Sequence, residues 1–273
     1  MSQQLSVGHA GVHAPRRTAP AWWLVCKQEC IEMWAGGRIL RFLAIYTVLM
    51  SVTAYLLATN NELKLVTLKQ TVVVAVTSAM TFGLFIGLVI GAESISGERE
   101  RATLEPLLLT PSGHRQIVAG KFLAALTPWP AALVLSVPYV ATLSQGDPVV
   151  WRALFWGSVM GSLLATAFVG FGMLVSIWTD SSRVSLFVCL LVYAGSLIPA
   201  QLPTEFLNSS GGVLVSAVDP VESSSLLLTK VLAEGRSVAE VWVYLVAPAV
   251  LTVLILSVLF VYSAPRLRLT AGG

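Results

Sequence analysis

Long apolar stretches alternate with short polar ones from about residue 39 to the end of the chain. A helix that crosses a bilayer needs about 20 mostly apolar residues, because each residue adds about 1.5 Å toward a hydrocarbon core of about 30 Å. Six stretches meet this requirement, the fifth being the shortest: residues 39–59, 71–92, 121–144, 153–179, 185–202 and 241–262. The pattern therefore predicts an all-α membrane protein with six transmembrane helices.

The composition favours the same class. Of the 273 residues, 56% are hydrophobic and only 11% are charged, whereas soluble domains carry about 25% charged residues. So little charge cannot cover a soluble surface of this size. The net charge of +3 is small and dispersed, so no nucleic-acid partner is expected. Three cysteines and three histidines indicate neither a disulfide framework nor a metal site, and no metal is expected.

The segment before the first span predicts a helix in the membrane interface. Residues 1–20 lack the apolar core of a signal peptide, so we expect a disordered cytoplasmic tail there. Residues 21–38 separate into two faces, as interfacial helices do. The apolar face holds Trp23, Cys26, Cys30 and Trp34, and the polar face holds Lys27, Gln28, Glu29 and Glu32. The alternative is that this segment is only the cytoplasmic start of the first span. A Gly36-Gly37 pair provides a hinge between the two.

Lys and Arg residues are unevenly distributed along the chain. With six spans, twelve of the 17 lie on the side of both termini and five on the other side. Because positive charge favours the cytoplasmic side, we expect a multi-pass protein of a bacterial-type plasma (inner) membrane with both termini in the cytoplasm.

The transmembrane domain then covers residues 39–262, and a second cytoplasmic tail covers residues 263–273. The outer loop, residues 203–240, is semi-apolar; it predicts one or two short helices that enter or cap the bundle, with a plain surface loop as the alternative.

The predicted spans hold no Asp, Glu, Lys, Arg or His near their middle. Proton relays, ion-coupled carriers and intramembrane enzymes need such groups, so we expect a non-catalytic chain that draws its energy from another protein. Small residues recur every four positions in the second and fourth spans and allow close packing within one subunit or between two: Gly83, Gly87, Gly91, Gly157, Gly161 and Ala165. Prolines at three positions predict a kinked or broken third span: Pro128, Pro130 and Pro138.

A dense group of charges interrupts the apolar pattern in the segment ERERATLEPLLLT, which begins at Glu98. On a helix, Glu98, Arg101 and Glu105 form one charged row with internal pairing. Leu104 and Leu108 form an apolar row beside it, and Pro106 should interrupt the helix. A charged helix between two spans suits docking to a soluble partner. The alternative is a solvated loop that only fixes the topology.

The longer stretch ESISGERERATLEPLLLTPSGHRQIVAGKF resembles the signature of ABC-2 type permeases, the membrane subunits of ATP-binding-cassette transporters. The order of predicted elements is similar to that family, and AVDPVESSSLL resembles its outer Asn-Pro segment. Ala102 and Asp219 depart from the Gly and Asn that are common there. The resemblance implies that segment 93–120 carries a cytoplasmic coupling helix, whose ATPase-contacting residues are Glu98, Arg99, Glu100, Arg101, Thr103, Leu104, Glu105, Leu107, Leu108, Thr110 and Pro111.

The resemblance also implies the partners. A cytoplasmic P-loop ATPase would bind the coupling helix, with a second, smaller contact at Asp180 and Arg183. That ATPase would carry ATP and Mg, because this chain has no phosphate-binding loop and needs no cofactor of its own. A second permease copy or paralogue would complete the assembly among membrane lipids, and an extracytoplasmic protein would have the 203–240 loop for docking. The implied function is export of an amphiphilic or lipid-like substrate; the alternatives are a mechanical transducer for an outer partner and a non-transporting scaffold.

Overall fold

The computed structural model describes residues 20–59, 67–101, 113–199 and 219–269, with side chains described up to residue 262. Regular secondary structure in these ranges is entirely helical. The α-helices are α1 (Ala21–Ala35), α2 (Arg38–Thr59), α3 (Leu68–Glu93), α4 (Ser96–Glu100), α5 (His114–Leu126), α6 (Pro128–Leu143), α7 (Val149–Trp178), α8 (Ser182–Ser196), α9 (Pro220–Leu228), α10 (Val238–Val241) and α11 (Val243–Leu269), and a π-helical turn, Thr229–Ala233, follows α9.

Five helical segments in the described ranges are long and apolar enough to cross a membrane: Arg38–Thr59, Leu68–Glu100, His114–Leu143, Val149–Trp178 and Val243–Tyr262. The fifth predicted span, residues 185–202, corresponds to α8, which is apolar but has only 15 residues. Such a helix is about 22 Å long, shorter than the hydrocarbon core. The all-α membrane class is confirmed, and the sixth full-length span stays a prediction.

The third span is divided where its prolines predict a break. Helix α5 ends at Leu126 and α6 begins at Pro128. Proline is suited to the first turn of a helix, since its missing N–H would have no partner there. The hydroxyl of Thr127, the residue between the two helices, accepts a hydrogen bond from the indole of Trp34 at 3.2 Å, so the break is also a contact point for α1.

Helices α3 and α7 run parallel at the centre of the bundle and approach each other backbone to backbone. A Cβ atom on Gly91 would lie 2.6 Å from the carbonyl oxygen of Val169, and one on Gly172 would lie 2.7 Å from that of Leu88. A Cβ on Gly87 would meet the Val169 side chain at 3.0 Å. The small residues of these two helices therefore form contacts within the subunit, one of the two alternatives that the sequence leaves open.

Trp129 fills the space that two other glycines leave. A Cβ atom would lie 2.5 Å from its ring at Gly83 and 2.4 Å from it at Gly161. The indole N–H of Trp129 donates to the Ser162 hydroxyl at 3.0 Å, which satisfies the one polar group of this buried ring. Gly157 similarly accommodates Val76. The Trp129 ring of α6 thus packs between α3 and α7 and contacts both.

The α9 segment and its π-helical turn are packed into the bundle. Leu227, Leu228, Val231 and Leu232 are all buried, and the segment contacts α3, α7 and α11. Asp219 caps the start of α9. Its side chain accepts hydrogen bonds from the first two backbone N–H groups of that helix, which have no partner within the helix. Residues 220–233 of the 203–240 loop therefore form a helical segment packed into the bundle, residues 234–240 are largely exposed, and residues 203–218 lie outside the described residues.

Helix α1 packs closely against α5. A Cβ atom on Gly120 would lie 2.6 Å from the carbonyl oxygen of Trp22. On the predicted apolar face Cys26 is buried, but Trp23 is exposed. Glu29, assigned to the polar face, turns inward to Lys121; this part of the prediction is wrong, because tertiary packing of α1 on α5 decides which face is covered. Gly37, at a φ of +68°, makes the turn from α1 to α2. Placement of α1 in the membrane interface stays a prediction.

Candidate coupling site

The junction between α3 and α4 is held to α7 and α8 by serine hydroxyl groups. The Ser176 hydroxyl accepts hydrogen bonds from the backbone N–H groups of Ile95 and Ser96, at 3.1 and 2.8 Å. The Ser185 hydroxyl donates to the Ala92 carbonyl at 2.7 Å. These groups are buried, so the hydroxyls satisfy backbone atoms that the turn between the helices would otherwise leave unpaired.

Lys121 connects three helices at this end of the bundle. Its ammonium group is only 2% exposed and forms ion pairs with Glu98 of α4, at 2.5 Å, and with Glu29 of α1. Both carboxylates are themselves largely covered. Because a buried charge is stable only when it is paired and hydrogen-bonded, this triad fixes the position of α4 against α1 and α5.

Arg38, at the start of α2, forms an ion pair with Glu93, at the end of α3. Both side chains are about one quarter exposed. This pair ties the first span to the second just before α4. The end of the bundle that carries these pairs and α4 is called the charged end below.

Helix α4 is also joined to the turn between α7 and α8. The guanidinium of Arg99 donates to the Thr179 carbonyl at 2.9 Å and to the Asp180 carboxylate at 2.8 Å. The carboxylate of Glu100 accepts from the Ser181 hydroxyl at 3.0 Å and from the Ser182 backbone N–H at 2.8 Å. Two segments that the sequence predicts as separate inner contacts are therefore one continuous surface.

This surface presents charged side chains to the outside. Glu100 and Arg101 are exposed at the end of α4, and Arg183 is exposed at the start of α8. The Asp180 side chain is 92% exposed although it contacts Arg99. We call these four residues the docking face.

Beside the docking face lies a cleft of about 460 Å³. Its walls come from α1, α2, α3, α4 and α5. They carry charged side chains of both signs: Glu29, Glu32, Glu93, Glu98, Glu100, Arg38, Arg41, Arg101 and Lys121. Charges of both signs at close range suit a protein surface with its own mixed charges better than a ligand of one sign.

The predicted coupling residues divide into three groups. Glu98 and Arg99 are internal, and Glu100 and Arg101 belong to the docking face. The remaining ones lie outside the described residues: Thr103, Leu104, Glu105, Leu107, Leu108, Thr110 and Pro111.

Glu98 forms an ion pair with Lys121 of α5, outside the charged row that the sequence predicts with Arg101 and Glu105. Helix α4 ends at Glu100, so Glu98 and Arg101 are not spaced by a continuing helix; Glu105 lies outside the described residues, and pairing within the row stays a prediction. The sequence pattern alone does not indicate that Glu29 and Ser176 belong to this site. The one indication of an acidic partner was the Gly120-Lys121 pair next to the apolar span, because a charged residue there needs a partner side chain.

Within the described residues no group of three or more His, Cys, Asp or Glu side chains is arranged to hold a metal ion. The model for the family described as "ABC-2 family transporter protein" matches residues 23–267. Comparison with curated proteins finds none that matches the chain. The family match covers the bundle and both parts of the coupling site.

Proposed function

The chain belongs to the ABC-2 family of transporter proteins, and from this premise we propose that its docking face binds the ATP-binding-cassette ATPase that drives it. Because family membership makes the chain a multi-pass membrane transport subunit of a generally non-catalytic kind, we infer that a separate partner hydrolyses ATP. Glu100, Arg101, Asp180 and Arg183 would contact that ATPase on the cytoplasmic side of a plasma (inner) membrane.

The observation that carries this proposal is the link between α4 and the Thr179–Ser182 turn. Arg99 and Glu100 each bridge the two segments. A partner that pushes on either segment therefore moves both. Such a joined surface supports a coupling role better than two loops that only fix the topology.

Motion of α4 has direct routes into the bundle. Glu98 reaches α5 and α1 through Lys121. Ser176 and Ser185 connect the α3–α4 junction to α7 and α8. Ion pairs and buried hydrogen bonds of this kind transmit displacement because breaking them leaves buried polar groups unpaired.

We propose that this motion exports an amphiphilic or lipid-like substrate. The membrane-spanning segments expose large apolar side chains along α2, α8 and α11, and a substrate with apolar chains would share that environment. A second copy of the chain, or a related permease, would complete the path. The charge distribution of the sequence supports cytoplasmic termini.

The test is co-purification of the ATPase from native membranes in mild detergent. The double variant Arg101→Glu/Arg183→Glu reverses two exposed charges of the docking face, and we expect the amount of bound ATPase to fall about tenfold or more, because electrostatic mismatch at an interface costs more than about 1.4 kcal/mol. The control is Lys69→Glu/Arg236→Glu, which makes the same charge change at exposed positions of the opposite end.

Equal ATPase recovery with both double variants would contradict the docking face. If the unaltered chain brings down no ATPase even after crosslinking, the coupling proposal itself fails and a scaffold role replaces it. An outer protein recovered at near-equal amounts together with the ATPase would instead indicate a mechanical transducer.

A further inference from the structure

Two cationic side chains lie near the same short segment at the end of the bundle opposite the charged end. Arg152 lies in the first turn of α7, and Lys230 lies in the π-helical turn after α9. The guanidinium of Arg152 donates to the carbonyl of Val231 at 3.3 Å, and Val231 is the residue that follows Lys230. The two cations therefore border the same short stretch of backbone.

Helix α11 brings an aromatic side chain to the same place. It runs parallel to α7, since Thr252 donates to the Leu163 carbonyl at 3.0 Å and, farther along both helices, the Tyr262 ring contacts the Trp178 ring. Tyr244, one residue into α11, is therefore level with the start of α7. The Lys230 ammonium donates to the Tyr244 hydroxyl at 3.0 Å and lies 4.7 Å from the centre of its ring.

Neither Arg152 nor Lys230 forms an ion pair with a described residue. Nearby Arg236 differs, because its guanidinium pairs with Glu234 at 2.8 Å. An arginine side chain has five N–H donors and a lysine ammonium has three, so the one hydrogen bond described for each leaves most of their donors for another acceptor. This end of the bundle offers two cations that the described protein does not neutralise.

The surrounding side chains set the depth of these cations in the bilayer. Trp151, next to Arg152, is 75% exposed, and Trp242, two residues before Tyr244, is 60% exposed. Exposed tryptophans at the ends of membrane spans sit at the level of the lipid headgroups. Basic side chains at that level attract anionic lipids.

We propose that Arg152 and Lys230 bind the phosphate of an anionic lipid headgroup. The phosphate accepts hydrogen bonds from the guanidinium and the ammonium, while the acyl chains lie beside the exposed tryptophans. A lipid held there joins α7 to the π-helical turn and to the start of α11. This site does not depend on the proposed function, because it lies at the other end of the bundle and involves neither the docking face nor a partner protein.

The test measures lipid binding to the purified full chain by native mass spectrometry, with phosphatidylglycerol as the anionic probe and phosphatidylcholine as the neutral one. We expect tighter binding of phosphatidylglycerol to the unaltered chain. Arg152→Gln and Lys230→Gln should each weaken it about fivefold and the double variant about 25-fold, since a cation near the membrane surface contributes about 1 kcal/mol. Phosphatidylcholine carries the same phosphate, but its choline cation offsets that charge, so its weaker binding should change less.

Arg236→Gln is the matched control, because it removes a cation of the same end that already has a carboxylate partner; it should leave phosphatidylglycerol binding within about twofold of the unaltered chain. Unchanged binding in the Gln double variant would overturn the site. If that double variant does not give a monodisperse protein, phosphatidylglycerol binding is measured instead for the two single variants and for Lys230→Arg, which keeps the positive charge. Unchanged binding in the single Gln variants would then overturn the site. If inorganic phosphate displaces phosphatidylglycerol fully, the site is one for a soluble anion, and the lipid proposal is overturned.

Discussion

The ammonium of Lys121 lies 2.5 Å from a carboxylate oxygen of Glu98, and this ion pair joins α5 to α4 at a point where the lysine is almost completely buried. Glu29 of α1 contacts the same ammonium. One lysine therefore holds together an N-terminal helix, a short helix of the coupling site and the third span.

Replacement of Lys121 by Met should destabilise the protein by about 3–5 kcal/mol, because it leaves two covered carboxylates without their cation. The measurement is thermal unfolding in detergent at neutral pH, and we expect a clear fall in Tm. The triple variant Lys121→Met/Glu29→Gln/Glu98→Gln, which removes the charges together, should recover most of the loss. A Lys121→Met protein with the unaltered Tm would show that the triad contributes no stability.

The contact between α3 and α7 should tolerate no added carbon at Gly91. Gly91→Ala places a methyl group 2.6 Å from the Val169 carbonyl oxygen, and because backbone atoms cannot move aside cheaply we expect a loss of about 1–3 kcal/mol. Gly195→Ala in α8 is the control, since no atom lies within 4 Å of its added Cβ and alanine favours a helix over glycine. In thermal unfolding, the Tm of Gly91→Ala should fall, and the Tm of Gly195→Ala should rise or stay the same. Equal destabilisation of the two variants would contradict the close approach of the helices.

Asp219 should make the stability of the protein depend on pH. Burial raises the pKa of its carboxyl above the ordinary value of 3.8, although hydrogen bonds from the Glu222 and Val221 N–H groups oppose the shift. The folded protein then keeps a proton that the unfolded chain has lost, so the free energy of unfolding falls as the pH rises from about 3.8 through the folded pKa. Burial and the nearby Asp219 charge raise the pKa of Glu222 as well.

Asp219→Asn removes this titration and keeps an oxygen that can cap α9. We expect its Tm to vary less with pH than that of the unaltered chain and to be equal or higher at neutral pH. Asp219→Ala also removes the titration but loses the cap, at a cost of about 1 kcal/mol. If Tm depends on pH in the same way in the unaltered chain and in both variants, Asp219 does not titrate in the pH range of the measurement.

The sequence pattern predicts those features that depend on neighbouring positions. Apolar length indicates five of the spans, and Pro128 indicates the break in the third. The fifth predicted span, residues 185–202, begins inside α8 and runs past its end at Ser196, because apolar length along the sequence does not show where a helix ends; residues 200–202 lie outside the described residues. The small residues predict a close helix contact but not which helix supplies it.

Contacts between distant segments could not be predicted in the same way. Glu98 and Arg101 have the spacing of a helix pair, yet the packing of α5 brings Lys121 to Glu98 instead. Arg99 and Asp180 belong to two segments that the sequence analysis treats separately, and only the fold shows that they touch. Charge spacing describes one helix; it contains no information about the helix beside it.

Helix α3 is an unbroken rod of 26 residues, Leu68–Glu93, which is about 39 Å long. A tilt of about 5° with one end fixed displaces the other end of such a rod by about 3 Å. At Gly91 and Gly172 no side chain separates this rod from α7, so we expect the two helices to tilt as a pair. We expect a small angular change at the charged end to displace the far end of α3 enough to alter its packing against neighbouring helices.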